Sequence, residues 1–252
     1  SLHDACFLPT ATQNNKNQWL SVVSVNVQRK LGTIEKIISY VDHISMHCMW
    51  DVLFICEVDN IHKSFETDSW SDRLGGHNIY RHYGGPGHTA FVFIIHKNIQ
   101  QYLKRIHFED RAVGIKLGCQ NNSDFNLVCV HGRMHDQIEQ SLAEYGRVIE
   151  GIAFASPEQL SVCGDFNVDL SYGFHDCHAP EQLLDAVKHL EAWSASLSLE
   201  LVIHEASEGS PGNIHRDRDY TFTRIPTGIS ANSVRPSLID YSFASAGTAS
   251  IS

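Results

Sequence analysis

Polar residues that could serve phosphate or metal chemistry stand where apolar, strand-like segments of the chain end. Asn26 closes the segment LSVVSVN, Glu57 closes DVLFICE, and His131 closes FNLVCVH. Strand ends on a rigid scaffold are common places for catalytic and binding residues. Glu57 is the most informative of the three, because a carboxylate directly after VLFIC is costly to bury unless it is paired, solvated or bound to a metal.

Three more polar residues stand in the later part of the chain. Asp165 and Asn167 belong to GDFN, directly after an apolar segment, and Asp240 interrupts LIDYSF. Carboxylate and amide oxygens suit a hard cation such as Mg²⁺, or Mn²⁺ in its place. Such a cation stabilises charge on a phosphate, and a carboxylate can orient an attacking water. The six positions together predict a metal-assisted hydrolytic site.

The elements that must position these residues are strands and helices in mixed order. Apolar residues at helical spacing predict three helices, at 34–48, 138–152 and 183–197. Segments of strand length rich in β-branched residues predict strands at 20–27, 51–58, 89–96, 113–117, 125–131, 160–163, 199–203, 220–223 and 238–244. Because two strand-rich stretches lack intervening helices, we expect an α/β (α+β) fold of two mixed sheets packed face to face with helices outside.

The composition is that of one globular domain. The chain has 252 residues, and we expect a polar lead at 1–18 followed by a single domain at 19–252. The formal net charge of −10 argues against a broad basic surface for nucleic acid, but it is compatible with an acidic site neutralised by a divalent cation. No apolar run approaches membrane-spanning length, and the first residues do not resemble a signal peptide.

Cysteine usage favours free thiols. The chain has seven Cys without metal-type spacing, and Cys56, Cys129 and Cys163 stand inside apolar segments. We expect these three to be small core residues in a reducing compartment.

The order of these motifs resembles the endonuclease/exonuclease/phosphatase superfamily, whose members have the DNase I-like fold. The strongest match is CGDFNVDLSYG, whose GDFN core is a signature of the family. Four other segments are similar to further motifs of the family: SVNVQ at 24–28, LFICEVD at 53–59, VCVHGR at 128–133 and SLIDYSFAS at 237–245. The pair YTFTR and SLIDY is similar to the endonuclease domains of LINE-type retroelements and of apurinic-site endonucleases. The resemblance covers about residues 20–245 and implies a four-layered α/β sandwich.

The sequence departs from the family at two places. Cys56 stands where the family usually has Gln, and no Ser-Asp-His follows Asp240. We therefore expect a C-terminally incomplete domain from a longer polypeptide, without the family's last strand and its catalytic His, and with little activity until that strand is added.

The resemblance implies a role for each candidate residue. Glu57 is the principal metal ligand with help from Asn26, Asp165 orients or deprotonates the water, and Asn167 and His131 contact the phosphate or the leaving group. Asp240 orients the absent His or supports the metal. Arg133 and Arg224 are candidates for contacts with a phosphate backbone, and a solvated surface Arg is an equal alternative for each.

Three functions stay open at this point. The first is a DNA-nicking endonuclease of retroelement type, which would act in the nucleus. The second is a phosphatase or phosphodiesterase for a phosphoinositide, sphingolipid or nucleotide. The third is a non-catalytic binding module. The YTFT and SLIDY segments favour the first.

Overall fold

The computed structural model of the chain describes residues 10–14, 18–28, 31, 33–58, 74–82, 90–118, 124–152, 160–170, 181–202, 240–245 and 249–250. These residues form two six-stranded mixed sheets and three α-helices. The strand expected at 220–223 lies outside them.

The first sheet contains the early strands of the chain together with the last one. Its strands are β1 (Thr10–Asn14), β2 (Gln18–Asn26), β3 (Val52–Val58), β4 (Asn78–His82), β5 (Ala90–Ile95) and β12 (Ala249–Ser250). Their order across the sheet is β12-β1-β2-β3-β5-β4, and only the central pair β2 and β3 is parallel. Helix α1 (Ile34–His47) connects that pair, because parallel strands need a crossover of about a dozen residues.

The second sheet repeats this plan. Its strands are β6 (Leu103–Glu109), β7 (Ala112–Gly118), β8 (Asp124–His131), β9 (Leu160–Asp165), β10 (Leu199–Val202) and β11 (Asp240–Ser245). Their order is β10-β11-β9-β8-β7-β6, again with one parallel pair, β8 and β9. Helix α2 (Ile138–Gly151) connects the parallel strands, and α3 (Glu181–Ser196) precedes β10.

Burial on both faces explains why the central strands read as continuous apolar runs. Along β3, Leu53 and Ile55 pack with the core under α1, whereas Phe54 and Cys56 belong to the core between the sheets. Successive side chains of a strand point to opposite faces, so a strand covered on both sides has no polar alternation. A third core lies between the second sheet and the other two helices, where Tyr145 is fully buried. The described residues therefore form a four-layered α/β sandwich, as predicted.

The predicted elements that fall within the described residues match observed ones to within about two residues at each end. Four strands were not predicted: β1, β4, β6 and β12. Three of them, β4, β6 and β12, are edge strands, and β6 carries the exposed Lys104 and Arg105. Edge strands often carry charge and lack an apolar run, so pattern alone misses them. β1 lies inside the 1–18 segment that we expected to be a polar lead, and it pairs with β2.

The prediction that three cysteines are small core residues is confirmed. Cys56, Cys129 and Cys163 are buried in the core between the sheets. Among the described helices, none is long and apolar enough to cross a membrane.

Candidate active site

The carboxyl ends of the two parallel strand pairs meet across the sandwich. Asn26 at the end of β2 donates from Nδ2 to Oδ2 of Asp165 at the end of β9, over 2.7 Å. Oε1 of Glu57 in β3 lies 3.4 Å from Nε2 of His131 at the end of β8. Each contact joins one sheet to the other, so four residues far apart in sequence converge on one place.

Asp165 is the buried centre of this group. The residue is 1% exposed, and besides Asn26 its carboxylate accepts a hydrogen bond from the backbone N–H of Asn167, at 2.9 Å. Burial raises the pKa of Asp165, while nearby His131 and the two hydrogen bonds lower it. The net direction is upward. The carboxylate is thus held in a fixed orientation by two donors.

Gly164 allows Asp165 to sit in this position. Its φ is +137°, a backbone conformation that side-chain-bearing residues rarely adopt. A Cβ at this position would come within 2.1 Å of the Val130 carbonyl oxygen on the neighbouring strand. The glycine of GDFN is therefore required by the close packing of β8 and β9.

Glu57 is presented differently. Its side chain is 28% exposed, its φ is +53°, and the pairing of β3 with β5 is irregular between Ile55 and Val58. A bulge of this kind re-aims a side chain at the end of a strand. The Glu57 carboxylate is therefore partly open to solvent, whereas that of Asp165 is not.

His131 is buried against Glu57. Its side chain is 4% exposed, and its backbone N–H donates to the Arg111 carbonyl at 2.7 Å. Its Nε2 makes no hydrogen bond within the described structure, although Glu57 Oε1 lies 3.4 Å away. A buried ring nitrogen without a hydrogen bond is a group that a substrate oxygen could satisfy.

The segment after His131 ties the site together. The Gly132 N–H donates to the Asp165 carbonyl at 2.6 Å. Its own carbonyl accepts from Asn167 Nδ2 at 2.8 Å and from Arg111 Nη1 at 3.2 Å. A Cβ on Gly132 would lie 2.1 Å from the Phe166 carbonyl oxygen. Asn167, with φ +55°, is thus fixed beside the other site residues.

Sequence analysis did not single out Gly132 and Arg111. A glycine directly after a polar strand end is a signal for close backbone approach, and it was available in HGR. Arg111 lies in the turn between β6 and β7, and only the folded structure shows that this turn reaches the site. Burial lowers the pKa of Arg111, and neighbouring Arg133 lowers it further.

The other candidates are placed as follows. The backbone of Asp240 in β11 pairs with Asp165, and its side chain lies outside what the structure describes. Arg133 is turned toward Glu144, with which it forms a direct ion pair, and its side chain is 14% exposed. Arg224 lies outside the described residues.

The donor groups fit a Mg²⁺ or Mn²⁺ ion. Within the described ranges no group of three or more His, Cys, Asp and Glu side chains could hold a metal. Mg²⁺ asks for less, because it keeps several waters and often takes one or two carboxylates together with substrate phosphate oxygens. Glu57 offers a partly exposed carboxylate, and Asn26 offers an amide oxygen that accepts from Gln28 N at 2.8 Å.

Solved structures show the same fold. The AP endonuclease LMAP from Leishmania major has a TM-score of 0.59 at 12% identity, covering 97% of this chain and 85% of that one. The endonuclease domain of TRAS1, a telomere-specific non-LTR retrotransposon, has a TM-score of 0.52 at 15% identity, covering 89% and 84%. The 3′ phosphatase NExo from Neisseria, bound to a product DNA hairpin, has a TM-score of 0.50 at 11% identity, covering 86% and 84%.

These likenesses establish the class of structure. The chain has the DNase I-like fold, and structural neighbours with this fold include nucleases and phosphatases. No family model matches the chain, and no curated protein matches it in sequence.

Proposed function

We propose that the protein is a metal-dependent phosphodiester hydrolase, and specifically a DNA-nicking endonuclease of retroelement type. The observation that carries the proposal is the meeting of Asn26, Glu57, His131 and Asp165 from four strand ends and both sheets. A purely structural role does not account for two acidic residues and a buried imidazole at one place, because such groups are costly to bury.

Glu57 and Asn26 are the residues that would hold Mg²⁺ or Mn²⁺. When bound, the cation supplies Lewis-acid stabilisation of the negative charge that grows on the phosphate. Asp240, whose backbone pairs with Asp165, is our candidate for supporting the cation or for orienting the terminal His that the family resemblance implies.

The remaining residues handle water and phosphate. Asp165 orients the attacking water and accepts its proton, and its two hydrogen bonds fix the direction of the carboxylate. His131 donates to a phosphoryl oxygen or to the leaving group. Asn167 keeps an amide N–H for the phosphate, since Gly132 uses only one of the two.

Three considerations support DNA as the substrate. The YTFT and SLIDY segments resemble those of retroelement and apurinic-site endonucleases, and two of the structural neighbours are named as endonucleases. The third neighbour is bound to a DNA hairpin. Arg224 is our proposed contact with the DNA backbone, and a nuclear location follows if the retroelement assignment holds.

A plasmid-nicking assay tests the proposal. We expect the full-length protein to form relaxed circles with Mg²⁺ or Mn²⁺ and to form none in excess EDTA. Full activity in EDTA would contradict the metal requirement. Hydrolysis of a phospholipid or a nucleotide ester without any nicking would replace the nuclease by a phosphodiesterase. Loss of every such activity in a folded protein would leave a binding module.

A further inference from the structure

Arg133 has its polar partners inside the protein. Its guanidinium makes a direct ion pair with Glu144 of α2 and lies 3.9 Å from Asp110 Oδ2. Its backbone N–H donates to Ser141 Oγ on the same helix at 2.9 Å. Side chain and backbone thus both attach this residue to the start of α2.

The ion pair is largely removed from water. The Arg133 side chain is 14% exposed and that of Glu144 is 6% exposed. A carboxylate that is almost fully buried needs a cationic partner, and the planar guanidinium is well suited to such pairs. A guanidinium engaged in this way has little freedom to swing toward a substrate phosphate.

The residue before Arg133 is the one that links the site. The backbone of Gly132, which directly follows His131, is hydrogen-bonded to the Asp165 carbonyl and to the Asn167 side chain. The Phe166 carbonyl leaves no space for a Cβ at Gly132, so the two chain segments are in close contact. A shift of the segment at 132–133 would therefore move several site residues together.

We propose that Arg133 and Glu144 form a positioning clamp, which fixes the segment after His131 on α2, and that Arg133 is not a substrate contact. The inference rests on the proposed function, in which His131, Asp165 and Asn167 act on the phosphate. Displacement of about 1 Å from productive geometry can cost on the order of a hundredfold in rate.

Four variants test the clamp through nicking kinetics. They are Glu144→Gln, Arg133→Met, the double variant Arg133→Met/Glu144→Met, and Arg133→Lys as a conservative partial rescue. We expect the first three to lower kcat by about ten- to a hundredfold, with KM and its salt dependence within about twofold of wild type. The double variant should be no worse than Arg133→Met, because both changes break one pair. Arg133→Lys should recover part of kcat.

The matched control is Arg147→Met. Arg147 stands on the same helix and pairs with Glu109 of β6, and its side chain is 51% exposed. Its loss should leave kcat and KM unchanged. If Arg133→Met alone does not fold because Glu144 is left buried and unpaired, the double variant decides, since it removes both charges.

Hydrogen exchange at residues 131–134 gives a readout that does not depend on activity. We expect faster exchange there in the Glu144→Gln and double variants than in wild type or Arg147→Met. Unchanged exchange together with unchanged kcat would overturn the clamp. A rise in KM and a shallower salt dependence in Arg133→Met, with Glu144→Gln unaffected, would make Arg133 a phosphate contact instead. If the full-length wild-type protein does not nick DNA, the proposed function fails, and exchange alone then decides the clamp.

Discussion

The two sheets are built on one plan, yet they hold their polar strand ends in different ways. In each half, a parallel pair joined by a helix stands at the centre of the sheet, and the second strand of that pair adjoins an antiparallel strand. Asn26 and His131 end the first strand of their pairs, and Glu57 and Asp165 stand near the end of the second.

The difference lies in burial. Glu57 follows an irregular pairing and keeps a 28% exposed carboxylate, whereas Asp165 is 1% exposed and receives two hydrogen bonds. The same topology therefore supplies two different carboxylates. That of Glu57 is exposed enough to bind a cation in place of water, and that of Asp165 is buried and can hold a water molecule in a fixed position. Local backbone detail, rather than topology, distinguishes the two carboxylates.

The largest expected effect is on nicking by variants of the two carboxylates. We expect Glu57→Gln and Asp165→Asn each to slow nicking by about a hundred- to ten-thousandfold. Only Glu57→Gln should recover, by at least about tenfold, at high Mg²⁺, because its loss weakens cation affinity. Asp124→Asn is the control, since Asp124 pairs with Lys104 and Lys116 at the start of β8. Equal recovery of both variants would remove the distinction between the halves.

Substitutions of the residues directly before the two carboxylates should also differ in their effect. This smaller effect is measured as a change in the free energy of unfolding. Gly164→Ala should cost about 3 kcal/mol, because the added Cβ meets the Val130 carbonyl and the backbone has a positive φ. Cys56→Ala, at the equivalent buried position of β3, should cost about 1 kcal/mol. Urea unfolding gives both values, and similar costs would show that the two strand ends are equally constrained.

The smallest effect concerns acid stability at the other end of the first sheet. Burial lowers the pKa of His77 to about 4, and neighbouring His96 and Lys97 lower it too. The ring contacts Trp50 and His96, with centroids 5.1 and 4.4 Å away, and its Nδ1 accepts from Lys97 N. The neutral ring is therefore favoured in the folded state, and this stability is present above about pH 6.5 and lost toward pH 4.

We expect the loss to be about 1 kcal/mol, since water screens a group that is partly exposed. His77→Phe keeps the ring contacts and should flatten this part of the pH dependence of unfolding. An unchanged pH profile in that variant would assign the acid sensitivity to other groups.

Much of this fold could be predicted because burial on both faces leaves a clear pattern. The segments VLFIC and LVCV are continuous apolar runs, and β3 and β8 lie where they were expected. The strands β4 and β6 escaped prediction because edge strands such as β6, with its Lys and Arg, lack such runs. The face-to-face packing of two sheets could be predicted, but the register of neighbouring strands could not.

The candidate site was predictable as a set of residues but not as a network. A carboxylate after VLFIC points to a site because its burial is costly, and GDFN adds a family resemblance. Nothing in the sequence indicates that Asn26 bonds Asp165, or that Arg133 turns inward to Glu144. The first contact depends on how the two sheets stack, which brings together positions more than a hundred residues apart. The second depends on how α2 packs beside the end of β8.

The three buried thiols report whether the core between the two sheets is closed. Cys56 belongs to the first sheet. Cys129 and Cys163 are register partners in the second sheet, and the sulfur atoms of these two residues lie 3.8 Å apart. Burial and the adjacent Cys163 raise the pKa of Cys129, so alkylating reagents find almost no thiolate at Cys129 in the folded protein. These buried thiols can therefore be alkylated only after the two sheets separate. The rate of alkylation, followed by mass spectrometry, therefore measures how often the domain opens.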